Sequence, residues 1–137
     1  MAFNFYEGVS VQQLQKIERE VGPFYYYNTS LLYQTLEAIK KELSETPHFH
    51  VHYAIKANAN PELLKLVREA GLGIDCVSGG EVQRALEMGF SPKGIVFAGV
   101  GKSDREIRTA LQAGISCFNV ESLPEMEVIN DLAKQLN

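Results

Sequence analysis

The chain has 137 residues, 45% of them hydrophobic and 22% charged, enough apolar material for a packed core and too much for a disordered segment. Its net charge of -4 at pH 7 supplies no basic field for nucleic acid, and no stretch approaches the ~20 apolar residues of a membrane-spanning helix. The amino terminus, Met1 to Phe5, has no charged region followed by an apolar core, so the expected location is cytoplasmic.

In chain order, a helix is expected from about Val11 to Val21, capped by Ser10 with Gln13, then a strand Phe24 to Tyr27, then a helix from about Ser30 to Leu43. This helix-strand-helix lead-in, residues 1–47, precedes a repeating part, residues 48–137. In the repeat a short apolar run leads to a helix-start signal, an amphipathic helix and a closing glycine. The runs are His48 to Lys56, Gly73 to Val77, Gly94 to Val100 and Ile115 to Val120, rich in β-branched and aromatic residues. Asn60 with Pro61 starts the first helix of the repeat. The next three starts share the pattern Ser-x-x-Glu, as Ser78 with Glu81, Ser103 with Glu106 and Ser122 with Glu125, each able to form a reciprocal capping box. Gly71, Gly89 and Gly114 stand where these helices must end. Four βα units in succession predict a parallel sheet with helices packed on it, either an open doubly wound sheet or half of an eight-unit barrel. The turn after the first run, Ala57-Asn58-Ala59-Asn60, lacks the glycines of the phosphate turn usual in open sheets.

Lys56 ends the first run and meets a polar turn at once. In parallel α/β folds the carboxyl end of a strand is where chemistry is mounted, and an amine held there can form a Schiff base with a carbonyl compound. The competing reading is a lysine that snorkels to solvent. Asp75 lies inside an apolar strand, where a carboxylate needs a partner, and Lys56 on the neighbouring strand is a candidate. His48, His50 and His52 would share one strand face, a metal-binding arrangement typical of amidohydrolases, but the other units offer no further ligands. Gly99-Val100-Gly101-Lys102-Ser103 is similar to a nucleotide loop, yet Val96 stands where the first glycine of that motif is required. Cys76 and Cys117 lack metal-type spacing and are expected as buried free thiols. Tyr25-Tyr26-Tyr27 is expected to pack on a second domain.

Tyr53-Ala54-Ile55-Lys56-Ala57-Asn58, Gly73-Ile74-Asp75-Cys76-Val77-Ser78-Gly79-Gly80-Glu81, Ile95 to Ser103 and Phe118-Asn119-Val120-Glu121-Ser122 resemble, in that order, the amino-terminal part of the diaminopimelate decarboxylases, pyridoxal-phosphate-dependent enzymes of the alanine-racemase-like group. The likeness covers nearly the whole chain, including Gly22-Pro23-Phe24-Tyr25. It implies an α/β fold, the amino-terminal half of a (β/α)8 barrel, within a homodimer that decarboxylates meso-diaminopimelate to L-lysine. It further implies Lys56 as the Schiff-base lysine of pyridoxal 5'-phosphate, with Asp75 and Glu81 close to it and Asp75 sharing in catalysis. The family's phosphate site, pyridine-nitrogen partner and substrate-binding arginines lie in later segments, so a piece of this length is expected to be inactive alone. An ornithine- or arginine-type decarboxylase fragment, or a half-barrel with a binding role, is the alternative.

Overall fold

The computed structural model describes residues 8–136, so the expectation about Met1 to Phe5 lies outside the described residues. Helix α1, Val11–Val21, starts at a reciprocal capping box between Ser10 and Gln13 and buries none of its residues. Helix α2, Thr29–Glu45, is capped by Asn28, whose side chain accepts from the Leu31 amide at 3.1 Å. Its Leu36 is buried, and Leu32 and Ile39 pack on the same core. The strand expected at Phe24 to Tyr27 does not form. The segment is aromatic and Tyr25 stacks on Tyr27 with centroids 6.4 Å apart, but it is not one of the strands of the four-stranded sheet.

The repeating part folds as β1 (His52–Ala54), a 3-10 turn at Ile55–Ala57, α3 (Pro61–Glu69), β2 (Gly73–Cys76), α4 (Gly79–Glu87), β3 (Ile95–Phe97), α5 (Asp104–Ala113), β4 (Cys117–Phe118) and α6 (Leu123–Leu136). The four strands lie in the order β1-β2-β3-β4, all parallel. Each is shorter than its apolar run, because the ladder ends before the run does. The helices close as anticipated, with Gly71, Gly89 and Gly114 all at positive φ. Gly114 adopts the left-handed conformation that ends α5, where a side chain would be strained.

Strand alternation sorts the side chains into two unlike faces. Ile74, Cys76, Ile95 and Phe97 are wholly buried under the helices, against Leu64, Val67, Val82, Ala85 and Ala110. Phe97 meets Phe118 with ring centroids 5.8 Å apart. On the other face Ala54, Asp75, Val96 and Cys117 stand in one row across all four strands, and none of the four is fully buried by the described residues. Cys76 is therefore buried as expected, whereas Cys117 is exposed, since its place in the register puts it on the uncovered face. A parallel sheet normally buries both faces, so this arrangement leaves one face and the edges of β1 and β4 open. We expect the 137 residues produced alone to self-associate, which light scattering of the purified chain will show; a monodisperse monomer would mean that the open face is covered by some other packing.

Candidate functional site

The turn carrying Lys56 is fastened on three sides. The Tyr53 phenol donates to the carbonyl of Asn58 at 3.2 Å, closing the loop across Lys56. The Asn58 side chain accepts from the Asn60 amide at 2.8 Å, and that of Asn60 accepts from Glu62 at 2.9 Å, so the turn runs directly into the cap of α3. From α4, Arg84 Nε donates to the carbonyl of Ala59 at 3.4 Å. Burial raises the Tyr53 hydroxyl above its ordinary range, partly offset by the bond to Asn58, so it remains a neutral donor. Ile55 is completely buried while Lys56 beside it is exposed. Lys56 belongs to the 3-10 turn and not to the strand, and none of the ion pairs of the described residues includes it.

Asp75 lies on the uncovered face, paired in register with Ala54 and Val96. The Lys56–Asp75 ion pair suggested by the sequence is not made, because Asp75 is only half-buried and keeps access to solvent. Glu81 has a definite task. Its Oε2 accepts from the backbone amide of Val77 at 2.6 Å, while its own amide donates to Ser78 Oγ at 3.2 Å. The expected capping box at Ser78 is thus displaced by one residue, the carboxylate serving the last amide of the β2 run in place of the Ser78 amide. Burial first, then the negative charges of Glu81 and Asp75, push the Cys76 thiol up to about 12, which leaves it an inert core group.

Of the three Ser-x-x-Glu starts, Ser103 with Glu106 forms the full reciprocal box. Glu106 also reaches the neighbouring unit, where its Oε1 accepts from the Gly79 amide at 2.7 Å and so ties the start of α5 to the start of α4. The third, Ser122 with Glu125, repeats the Ser78 arrangement: Ser122 Oγ accepts from the Glu125 amide at 3.3 Å, and Glu125 Oε2 accepts from the Glu121 amide at 2.7 Å.

Sequence reasoning missed Lys102. Far from lining a nucleotide loop, its side chain is 1% exposed and paired with Glu125 at 2.9 Å. The glycine-rich loop before it is equally committed. Gly99 has φ +85, and a Cβ there would lie 2.9 Å from the carbonyl oxygen of Val77, so only glycine permits this approach of β3 to β2. The three histidines do not form the expected strand array, since His48 and His50 precede β1. His52 alone reaches the uncovered face, with its ring over Gly73. A cleft of about 550 Å³ lined by His50, His52, Arg68 and Lys93 opens at the amino ends of the strands, the end opposite Lys56.

A family model described as the pyridoxal-binding domain of the pyridoxal-dependent decarboxylases matches residues 30–137. The chain belongs to this family. It is 58% identical over 115 residues to a diaminopimelate decarboxylase of Bacteroides thetaiotaomicron, an alignment covering 84% of the chain and 30% of that protein. It superimposes on the crystal structure of diaminopimelate decarboxylase from Helicobacter pylori complexed with L-lysine with a TM-score of 0.80 and 39% identity, over 90% of this chain and 31% of that one. The ornithine decarboxylase of Entamoeba histolytica is less similar, with a TM-score of 0.64 and 29% identity over 74% of this chain and 30% of that one. The chain thus spans about 30% of the length of the relatives it matches. Its four-stranded sheet is the opening half of the expected barrel, and family membership sets the amidohydrolase reading aside.

Ser103 donates its hydroxyl, and Ser103 and Gly79 their backbone amides, to Glu106, which lowers that carboxyl from its ordinary 4.5 to about 2. A carboxyl depressed on folding adds stability at pH above its ordinary value and loses it as pH falls toward the depressed value. Comparing the full-length protein with its Glu106→Gln variant, we expect the wild type to be the more stable near neutral pH. The difference should shrink between pH 4.5 and pH 2. Denaturant midpoints across that range check this, and a pH-independent difference would refute it.

Proposed function

We propose that the protein carrying this chain is a pyridoxal-phosphate-dependent decarboxylase converting meso-diaminopimelate to L-lysine, with Lys56 as the amine that holds the cofactor. The observation that carries the reading is the placement of an exposed, unpaired lysine on a fastened turn at the carboxyl end of β1, in a chain 58% identical to a diaminopimelate decarboxylase. The residues present fit the amine-linked end of the cofactor. Lys56 enters none of the ion pairs of the described residues, and Ala54, Asp75 and Val96 stand side by side on the open face of the sheet. Bound there, pyridoxal phosphate supplies the electron sink that accepts the electron pair released with carbon dioxide.

The chain's own residues provide attachment, orientation and charge. Lys56 would contribute the amine that bonds covalently to the cofactor. Tyr53, Asn58 and Arg84 hold its turn to one geometry, which limits the orientations that must be searched during reaction. Asp75 places a half-buried carboxylate in the open row of the sheet beside Ala54 and Val96, where it would face the bound cofactor. Glu81, engaged with the Val77 amide, orients the end of β2 and acts on the cofactor region through that strand.

The same reading makes the full-length protein a cytoplasmic homodimer acting on a free amino acid. Among the described residues no helix is long and apolar enough to cross a membrane. An ornithine- or arginine-type substrate is the second reading, and the lower likeness to an ornithine decarboxylase argues against it.

The test uses full-length protein. Wild type should release carbon dioxide from meso-diaminopimelate in preference to ornithine and arginine, and Lys56→Ala should lose that activity by at least about three orders of magnitude while keeping its fold by circular dichroism. Borohydride reduction with peptide mapping should label Lys56 in the wild type. Labelling of another lysine, or retained turnover in Lys56→Ala, would remove Lys56 from this role.

A further inference from the structure

The β3–β4 ladder stops one step short of its register. The last rung is the Asn119 amide on Phe97 O at 2.9 Å, and two further residues along each strand would bring the Glu121 amide to Gly99 O. That rung is replaced by an ion pair. The Glu121 amide donates to Glu125 Oε2 at 2.7 Å, Gly99 O accepts from Lys102 Nζ at 2.7 Å, and Lys102 Nζ meets Glu125 Oε1 at 2.9 Å. Lys102 also donates to Asn119 O at 2.9 Å, which uses its third N–H, and its ammonium stands 5.7 Å from the centroid of the Phe97 ring. With every donor engaged and the side chain 1% exposed, this lysine has nothing left to offer a phosphate.

A direct backbone rung would satisfy Gly99 O and the Glu121 amide without burying a charge, and a buried ion pair is weak evidence of added stability. What the pair adds is separation. It spaces the carboxyl ends of β3 and β4 while giving Gly99 O, Asn119 O and the Glu121 amide their partners, and through Gly99, seated on Val77, it fixes the end of β2 where Asp75 stands. We propose that Lys102 and Glu125 are positioning residues for the Lys56 site, an ion-paired spacer in place of a backbone rung that sets the geometry of the rim formed by β2, β3 and β4. The proposal rests on the decarboxylase reading for its catalytic consequence and on geometry alone for its structural one.

Two readouts separate these. In full-length protein, Lys102→Met and Glu125→Gln should each lower kcat about tenfold or more, at a temperature where both are folded, with KM for meso-diaminopimelate changed by less than about threefold. The double variant should be no worse than the more damaged single one, since the two act as one unit. In the cofactor-free protein Glu125→Gln should speed hydrogen exchange at the Glu121 amide by about tenfold, a change confined to the spacer. A folded variant with kcat within about twofold of wild type would overturn the positioning role, as would unchanged exchange at Glu121. If Lys102→Met fails to fold, Glu125→Gln decides; if neither folds, the pair is a stability element and the proposal falls. Wild-type protein inactive on diaminopimelate would sink the decarboxylase reading alone, and the exchange measurement would still decide the spacer.

Discussion

Where a parallel ladder ends, the last strand amides still require acceptors, and in this chain two of them find a glutamate from the first turn of the following helix. The steps of the β1–β2 ladder, with Gly73 donating to Val51 O at 3.0 Å, would bring the Val77 amide to Ile55 O. Glu81 takes that amide at 2.6 Å instead, and Glu125 takes the Glu121 amide at 2.7 Å in the same manner. A carboxylate at the third helical position is favoured there by the helix dipole as well as by the hydrogen bond. Satisfying the amide locally frees the neighbouring strand from the ladder. Released in this way, β1 turns at Ile55 into the 3-10 turn that carries Lys56.

The same economy of polar groups explains why the turn is definite in shape although it lies at the surface. Its backbone is held by Tyr53, Asn58 and Asn60 from within and by Arg84 from the adjacent unit. Below it, Ile55 is buried among the residues under the helices, so the turn is anchored by apolar packing on one side and hydrogen bonds on the other. An exposed side chain on such a base would lose little backbone order on reacting, as the proposed attachment of a cofactor at Lys56 requires.

The helices, their caps and their closing glycines were legible in the sequence because each is decided by residues three or four positions apart. Ser10 with Gln13 and Ser103 with Glu106 form their boxes as read. Strand extent was not legible, since a ladder ends where the partner's groups are taken, and those groups were claimed by Glu81, Glu125 and Lys102 from beyond the runs. The aromatic Phe24 to Tyr27 segment looked like a strand by composition but takes no place in the four-stranded sheet. Cys117 looked like a core thiol until the register placed it in the uncovered row with Ala54, Asp75 and Val96. For the site, the position of Lys56 at a strand end could be read from local pattern, whereas the approach of Asp75 and Glu81 to it was implied by the resemblance alone, and the expected Lys56–Asp75 ion pair is not made. The partners of those carboxylates could not be read, because they depend on distances between segments. Lys102 was the hardest of all, for its partner Glu125 stands 23 residues away and already had a capping role to explain it.

Among the charged groups on this rim, commitment distinguishes structure from chemistry. Lys102, Glu81, Glu106 and Glu125 each serve backbone groups of their own or a neighbouring unit, and Arg84 braces the Lys56 turn. Their hydrogen bonds lower Glu106 to about 2 and bring Glu125 below the usual carboxylate range, the latter chiefly through the Glu121 amide and then Lys102, so these acids stay ionised and unavailable for proton transfer near neutral pH. Lys56 is different. The surrounding hydrogen bonds hold its turn, and no ion pair of the described residues includes its side chain, the state that the proposed covalent role requires. The rim therefore fixes its backbone with charges already engaged in hydrogen bonds, and Lys56 stands at the strand end on the turn they hold in place.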